Sequence, residues 1–385
     1  MFYLFREDCN IVYGVNGACI YDLGNGKMYS IKKNESIVLQ AMQQGKTIKD
    51  IYEKNDHATV DMVCKRLEEA SIVTKSETFC PHEEYREGKY KTSRLEKEYR
   101  IHTCFLELPF DCMQSCIYCE SNKLLGCFAC SKVKKSCTLD FNFYSNVIKE
   151  ILGLGCKNFV FYGGDILSHY LELKELMDLF DKQTSIGLIL PIKDDVKEIS
   201  KVLSERSNVY VVLNVDYNKM GNYTFQQRKN ISYNFNVSLE EGKKALSELL
   251  QLRERGINYM ISFFSDKKSN FNYSRQLPQI QMDKKMYKLV EEVNPCLFGK
   301  ITIKSNKRVY PCINSRCEIG DISGDIKEGL ENSFEKLIMY WESSYIKRTN
   351  CAICKYGKSC VDCRSYEENF ERDLTEKDCN GYLED

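Results

Sequence analysis

Apolar and polar positions alternate with a period of two over Cys9–Tyr13, Ala18–Asp22 and Met28–Lys32. Asn16-Gly17 and Gly24-Asn25-Gly26 lie between them and supply turn residues, so three short strands are predicted. The period then lengthens. Ile37, Val38, Ala41 and Met42 share a helical face after Asn34, Ile48, Ile51 and Tyr52 follow Thr47, and Val60, Val63, Leu67 and Ala70 follow Thr59. Strands followed by three short helices predict a winged-helix-like module over residues 1–80, and the charged stretch after it predicts a linker over 81–100. From 101 to 295 strand and helix patterns alternate. The predicted strands are His102–Leu108, Asn158–Tyr162, Ile186–Leu190, Val209–Asn214, Asn258–Phe264 and Lys300–Ile303, with amphipathic helices such as Phe143–Leu152 and Leu239–Arg255 between them. Six βα repeats imply an α/β fold with a parallel sheet, and such sheets place their sites at the C-terminal ends of the strands.

Composition narrows the class. The 385 residues allow two or three domains, and 43% hydrophobic with 29% charged residues is the balance of an ordinary globular protein. Lys+Arg and Asp+Glu are both 55, so no overall basic field draws nucleic acid or anionic lipid. Basic and acidic residues also nearly balance through residue 80, which argues against a DNA-binding use of the winged-helix pattern. No apolar run is long enough to span a membrane, and the N-terminus lacks a signal-peptide layout, so a cytoplasmic location is expected.

Cysteine changes the picture. In a reducing compartment 20 cysteines do not form a disulfide framework, and they are core residues or metal ligands. Cys9, Cys19, Cys64, Cys80, Cys104 and Cys156 stand alone and are expected to be small buried hydrophobes. The other fourteen fall in three groups at ligand-like spacings. With four histidines in the chain, mixed Cys/His zinc sites have little material, and all-cysteine iron–sulfur sites are the leading reading. The first group, Cys112-x3-Cys116-x2-Cys119, follows a predicted strand directly. Three thiolates can hold a [4Fe–4S] cubane while one iron keeps no protein ligand, whereas zinc prefers a fourth Cys or His close by. Phe161-Tyr-Gly-Gly-Asp165 ends the second predicted strand at the same rim. Its glycines permit close backbone approach, and its carboxylate can accept from an ammonium group.

The triplet, with Tyr118 before its last cysteine, resembles the signature of the radical S-adenosylmethionine (SAM) enzymes. The resemblance implies a partial (β/α)6 barrel over 101–295 and a cluster on Cys112, Cys116 and Cys119 whose open iron is chelated by SAM. It also implies that Gly163, Gly164 and Asp165 stand where the family usually reads Gly-Gly-Glu and holds the SAM amine. Asp165 is one methylene shorter. Asn214, in Leu213-Asn-Val-Asp216, sits where family members often carry a polar residue toward SAM, and Arg228 is a candidate partner for the SAM carboxylate.

From Cys296 onward the chain reads Cys296-x15-Cys312-x4-Cys317, Cys351-x2-Cys354-x5-Cys360-x2-Cys363 and Cys379. With Val309-Tyr-Pro-Cys312, Ile319-Gly-Asp-Ile322 and Trp341, it resembles the SPASM extension over 296–385, which binds two auxiliary [4Fe–4S] clusters. By position, Cys351, Cys354, Cys360 and Cys379 would hold one, and Cys296, Cys312 and Cys363 the other, with Cys317 a candidate fourth ligand. Lys307 stands where the family usually has Gly, and the last spacing is x2 rather than x3. Cys127, Cys130 and Cys137 form the remaining group, which spacing alone assigns neither to metal nor to packing.

Residues 1–80 resemble the peptide-recognition element of enzymes that modify ribosomally made peptides, with the leader adding a strand between Met28–Lys32 and Thr59–Ala70. The implied activity is hydrogen abstraction from a precursor peptide to install a thioether or carbon–carbon crosslink, with an electron donor such as flavodoxin or ferredoxin. Two other readings remain: a sulfatase-maturase-like oxidase of a protein residue, and a non-catalytic iron–sulfur protein that binds peptide or carries electrons. Asp165 favours the last of these, and the intact triplet favours an enzyme.

Overall fold

A computed structural model of the chain describes residues 1–82, 99–114, 116–120, 123–125, 128, 130, 138–193, 197–265 and 282–360. The N-terminal segment begins with β1 (Phe2–Phe5), which pairs antiparallel with β5 (Val73–Ser76). A three-stranded antiparallel meander follows, made of β2 (Cys9–Gly14), β3 (Gly17–Asp22) and β4 (Lys27–Ile31). The helices are α1 (Lys33–Gln43), α2 (Ile48–Lys54) and α3 (His57–Glu69). Thr47 starts α2 through a reciprocal capping box with Asp50, and Asp56 rather than Thr59 caps α3 by accepting from the Thr59 N–H. Ile11, Ile20, Val38, Leu39, Val63 and Leu67 belong to the core that joins this sheet to its helices.

The strands β6 (Thr103–Glu107), β7 (Lys123–Leu125), β8 (Asn158–Tyr162), β9 (Ser185–Pro191), β10 (Val209–Asp216), β11 (Ile231–Ser238), β12 (Tyr259–Ser265), β13 (Lys300–Ile303), β14 (Arg308–Tyr310) and β15 (Gly320–Asp321) form one sheet. Its order is β15-β14-β13-β6-β8-β9-β10-β11-β12-β7, parallel from β13 through β12 and antiparallel at both ends. Between strands run α4 (Ile117–Glu120), α5 (Phe141–Gly153), α6 (Tyr170–Met177), α7 (Lys197–Glu205), α8 (Gly242–Glu254), α9 (Lys284–Glu292) and α10 (Ile326–Trp341). Side chains alternate across a strand, so each strand serves two environments. Leu106, Phe161, Leu188, Leu213 and Phe235 face the helices and share a core with Val147, Leu173, Leu249 and Trp341. Phe105, Tyr162, Ile189 and Phe264 face the other way and gather Tyr118, Cys130 and Ile313.

The predicted strand Lys300–Ile303 forms as β13 and joins the parallel sheet by pairing with β6 on the side away from β8. Among the parallel strands the one not predicted is β11, whose sequence ISYNFNVS puts Asn234 and Asn236 at fully buried positions. Asparagine is depleted in strands, so this run reads as loop until its buried hydrogen bonds are known. The sheet also continues across residue 296, and Trp341 lies in the sheet's helix-side core with its indole N–H donating to the Lys300 carbonyl at 3.0 Å. Among the solitary cysteines Cys9, Cys19, Cys64, Cys104 and Cys156 are buried as expected, but Cys80 is exposed. The predicted linker lies largely at 83–98, outside the described residues.

The second face of the N-terminal meander is covered by the C-terminal part of the chain. Cys19, Tyr21 and Leu23 pack with Met282, Tyr287 and Val290, with Tyr345 and Tyr356 alongside. Tyr21 donates to the Lys355 carbonyl at 2.8 Å, and the Lys355 ammonium donates to the Asn16 and Ile31 carbonyls at 3.1 and 3.2 Å. A Cβ on Gly14 would stand 2.6 Å from the Lys355 backbone nitrogen, so that contact is backbone against backbone.

Candidate functional site

The site is built where β6 and β8 end. The Leu108 N–H donates to the Tyr162 carbonyl at 2.7 Å, and the Asp165 N–H to the Asp111 carbonyl at 3.2 Å, which ties the Gly-Gly-Asp turn to the entry of the cysteine loop. Gly163 and Gly164 have φ of +118° and +68°. A Cβ on Gly163 would lie 2.2 Å from the Leu108 carbonyl oxygen, and one on Gly164 2.4 Å from that of Phe110. The close approach that the paired glycines permit is therefore to this chain's own backbone at residues 108–111, which they hold in register beside β8.

Cys112, Cys116 and Cys119 are each half-buried on this loop, and the Cys119 N–H donates to the Cys116 carbonyl at 3.1 Å. The Cys116 thiol is pushed well up by its hydrogen bond with Cys119 and by burial. Cys119 is lowered by that same bond, yet its contact with Cys130 and burial outweigh this and push it up to about 12. Burial also raises Cys112, Asp165 raises it further, and Lys193 opposes the rise. The three expected ligands thus share one loop, with Cys112 near one carboxylate and one ammonium, but their sulfurs do not all fall within 4.8 Å of one another. Tyr118 is 1% exposed behind the loop and its ring lies 6.5 Å from that of Phe264.

Asp165 is buried, and its carboxylate forms an ion pair with Lys193, which follows β9 at the same rim. Asn214 is placed in a polar ladder across three strands. Its amide donates to the Phe128 carbonyl at 2.9 Å and the Leu190 carbonyl at 3.3 Å, while its oxygen accepts from Asn234 at 2.8 Å and Asn236 at 3.1 Å. Ser262 donates to the Asn234 oxygen at 2.9 Å. Every hydrogen-bonding position of the Asn214 amide is occupied. Sequence reading missed Asn234, Asn236, Ser262 and Lys193; the period-two alternation of Tyr233-Asn-Phe-Asn-Val237 was the available signal. Arg228 is a correction: it precedes β11, at the opposite rim, where it donates to Ser200 and Gln226 at 3.1 and 3.2 Å.

The sheet face that carries this ladder also holds polar atoms with no partner. The Tyr162 hydroxyl, the Thr302 hydroxyl and one oxygen of Asp216 are buried without a hydrogen bond. Thr302 is in register with Phe105, Tyr162 with Glu107, and Asp216 with Asn236. Buried polar groups rarely stay unpaired in a finished site, so this face fits a polar molecule lying against it. The three thiols at this rim are of the type that could hold an iron–sulfur cluster, and the carboxylate and orphaned groups lie at the same face.

The C-terminal cysteines approach from two directions. Cys312 follows β14, is buried in the helix-side core, and is near enough to raise the Tyr162 hydroxyl further beyond the large effect of burial. Cys317 accepts from the Tyr340 hydroxyl at 2.8 Å. The Cys296 N–H donates to the Asn294 side chain at 2.9 Å, and the Asn294 N–H donates to the Trp341 carbonyl at 2.7 Å. Cys351 and Cys354 share one turn, with the Cys354 N–H bonded to the Cys351 carbonyl at 3.1 Å, and Cys360 follows on the segment docked to the N-terminal meander. Lys307, at the turn before β14, has φ +61°, a left-handed conformation that glycine adopts most readily; its ammonium is held by Asp140 at 2.9 Å. Cys127, Cys137, Cys363 and Cys379 lie outside the described residues. In the N-terminal segment Asp8, Cys9 and Asp22 also converge, but Arg6 pairs with both carboxylates there.

No family model and no curated protein matches the chain. Among solved structures it is similar to Streptococcus suis SuiB bound to precursor peptide SuiA, at 13% identity and a TM-score of 0.42 over 100% of both chains. It is similar to SuiB bound to S-adenosylmethionine, at 13% identity and a TM-score of 0.38 over 100% of both chains. A third similar structure is hexahistidine-tagged anSMEcpe with bound AdoMet, at 17% identity and a TM-score of 0.47, covering 73% of this chain and 90% of that one.

Proposed function

We propose that this protein is a radical SAM enzyme of the SPASM type that modifies a ribosomally made precursor peptide. One observation carries the reading: Cys112, Cys116 and Cys119 sit on the loop leaving β6, at the C-terminal rim of a parallel sheet, with the Gly-Gly-Asp turn hydrogen-bonded to the same loop. A reduced [4Fe–4S] cluster and SAM, bound there, supply a 5′-deoxyadenosyl radical. The chain's residues do the rest. The three cysteines hold the cluster, and Gly163 and Gly164 fix the loop that presents them. Asp165 accepts the SAM ammonium in place of the Lys193 ammonium that it holds in this structure. The buried Tyr162, Thr302 and Asp216 oxygens face the ligand, and the apolar face around Phe105 and Phe264 excludes water.

Cys351, Cys354, Cys360 and Cys379 would hold one auxiliary cluster and Cys296, Cys312 and Cys363 the other, with Cys317 a candidate fourth ligand; such clusters would supply an electron acceptor beside the peptide. The N-terminal module presents the leader, and a thioether or carbon–carbon crosslink is the product class. A flavodoxin or ferredoxin supplies the reducing electron. A second reading, a non-catalytic iron–sulfur peptide binder, is favoured by the Lys193–Asp165 pair, in which an ammonium of the chain already occupies the carboxylate.

The deciding experiment is 5′-deoxyadenosine release from SAM by anaerobically reconstituted, dithionite-reduced protein. A Cys112/Cys116/Cys119→Ala variant runs beside it. Release by the natural chain alone is expected. A full iron complement with no release in either protein favours the non-catalytic reading.

A further inference from the structure

The chain after the triplet returns a fourth thiol, Cys130, to the site. Leaving α4, the chain forms β7, which pairs antiparallel with β12 and extends the sheet at that edge. Phe128 then comes back over the sheet face, where the Asn214 amide holds its carbonyl at 2.9 Å. Two residues later Cys130 is 3% exposed, with its sulfur 3.6 Å from the Tyr118 hydroxyl. The Cys119 thiol donates to the Cys130 carbonyl at 3.5 Å. Cys130 therefore belongs to one cluster with Cys116, Cys119 and Tyr118, not to the general core.

We propose that Cys130 is an exchangeable fourth ligand of the cluster on Cys112, Cys116 and Cys119, bound in the SAM-free enzyme and displaced when SAM arrives. The inference rests on the radical SAM reading of the triplet. Three cysteines leave one iron without a protein ligand, and a thiol close by is the softest donor the site offers it. On ligating, Cys130 gives its proton to solvent, and it takes one back when the SAM amine and carboxylate replace it; no electron moves. The Tyr118 hydroxyl can donate to the sulfur in its thiolate form. Asn214 is a positioning residue for this arrangement, because its amide anchors the segment through Phe128 rather than reaching the ligand.

The test compares the full-length natural chain with Cys130→Ala and Cys130→Ser, all reconstituted anaerobically. The readouts are iron per chain, the [3Fe–4S] electron paramagnetic resonance signal after mild ferricyanide oxidation, and SAM affinity by calorimetry. Without SAM, Cys130→Ala should give a [3Fe–4S] signal about tenfold larger than the natural chain, since its open iron is unprotected. With saturating SAM the two signals should converge. SAM should bind about tenfold more tightly to Cys130→Ala, because no ligand has to be displaced. Cys130→Ser keeps the side-chain volume and should fall between the two. Equal signals and equal affinities overturn the proposal, as does loss of the whole cluster in both variants, which would make Cys130 a permanent ligand. If Cys112/Cys116/Cys119→Ala retains as much iron as the natural chain, the radical SAM reading itself fails, and that result is separate from these.

Discussion

Cys104 and Cys112 lie on one strand and the loop leaving it, yet the fold gives them opposite surroundings. Cys104 is fully buried in the helix-side core, where burial drives its thiol far up and Cys156 adds to the rise. Cys112 is half-buried at the rim beside other thiols, Asp165 and Lys193. A thiol surrounded by hydrocarbon is a small hydrophobe, whereas one surrounded by thiols and charges is a ligand in waiting. Side-chain identity does not separate the two; the direction of one residue across the pleat and the end of the strand do.

Replacement sharpens the contrast most. Cys112/Cys116/Cys119→Ala should abolish SAM cleavage and remove about four irons per chain while leaving the iron-free protein's thermal midpoint almost unchanged. Cys104→Ala should do the reverse, keeping the iron and costing about 1–2 kcal/mol in denaturant unfolding. Iron loss in Cys104→Ala would erase the distinction.

Next in size is the turn that couples the two strand ends. Gly163→Ala puts a Cβ within 2.2 Å of the Leu108 carbonyl at a φ of +118°, so the loop must move. The expected cost is about 2–4 kcal/mol, together with weakened SAM binding; an unaffected affinity would show that the turn does not set the cysteine loop.

Asp165→Asn should keep the fold and weaken SAM binding about tenfold, because an amide would replace the carboxylate proposed to accept the SAM ammonium. Lys193→Met, by freeing the carboxylate from its competitor, should not weaken it. Calorimetry on cluster-loaded protein reads both, and tighter binding by Asp165→Asn would contradict the assignment.

The smallest effect concerns the N-terminal module. Met62 is 49% exposed on α3, the helix expected to line the leader groove. Met62→Asp should leave stability within about 0.5 kcal/mol and weaken precursor-peptide binding severalfold. A point substitution is the better probe here than removal of residues 1–80, which would strip the cover from Tyr287, Val290 and Tyr356.

Much of this architecture was written in periodicity. The strands at 9–14, 17–22 and 27–31, the cap at Thr47 and the βα alternation all follow from local patterns, because turn chemistry and amphipathicity act within a few residues. That the cysteine triplet and the Gly-Gly-Asp turn share one rim was legible too, since each directly follows a strand of a parallel sheet. The strand at 231–238 was not, because its buried asparagines are tolerable only once Asn214 and Ser262 stand opposite them.

The sequence alone thus determined the spacing of the cysteines and the turns beside them, because spacing and turn propensity are local properties. Only the tertiary structure decided that Cys130 returns to Cys119, that Lys193 meets Asp165, that Arg228 stays at the far rim, and that the 351–360 segment docks on the N-terminal meander. Each of these joins residues that local pattern does not relate, and strand order and packing place them.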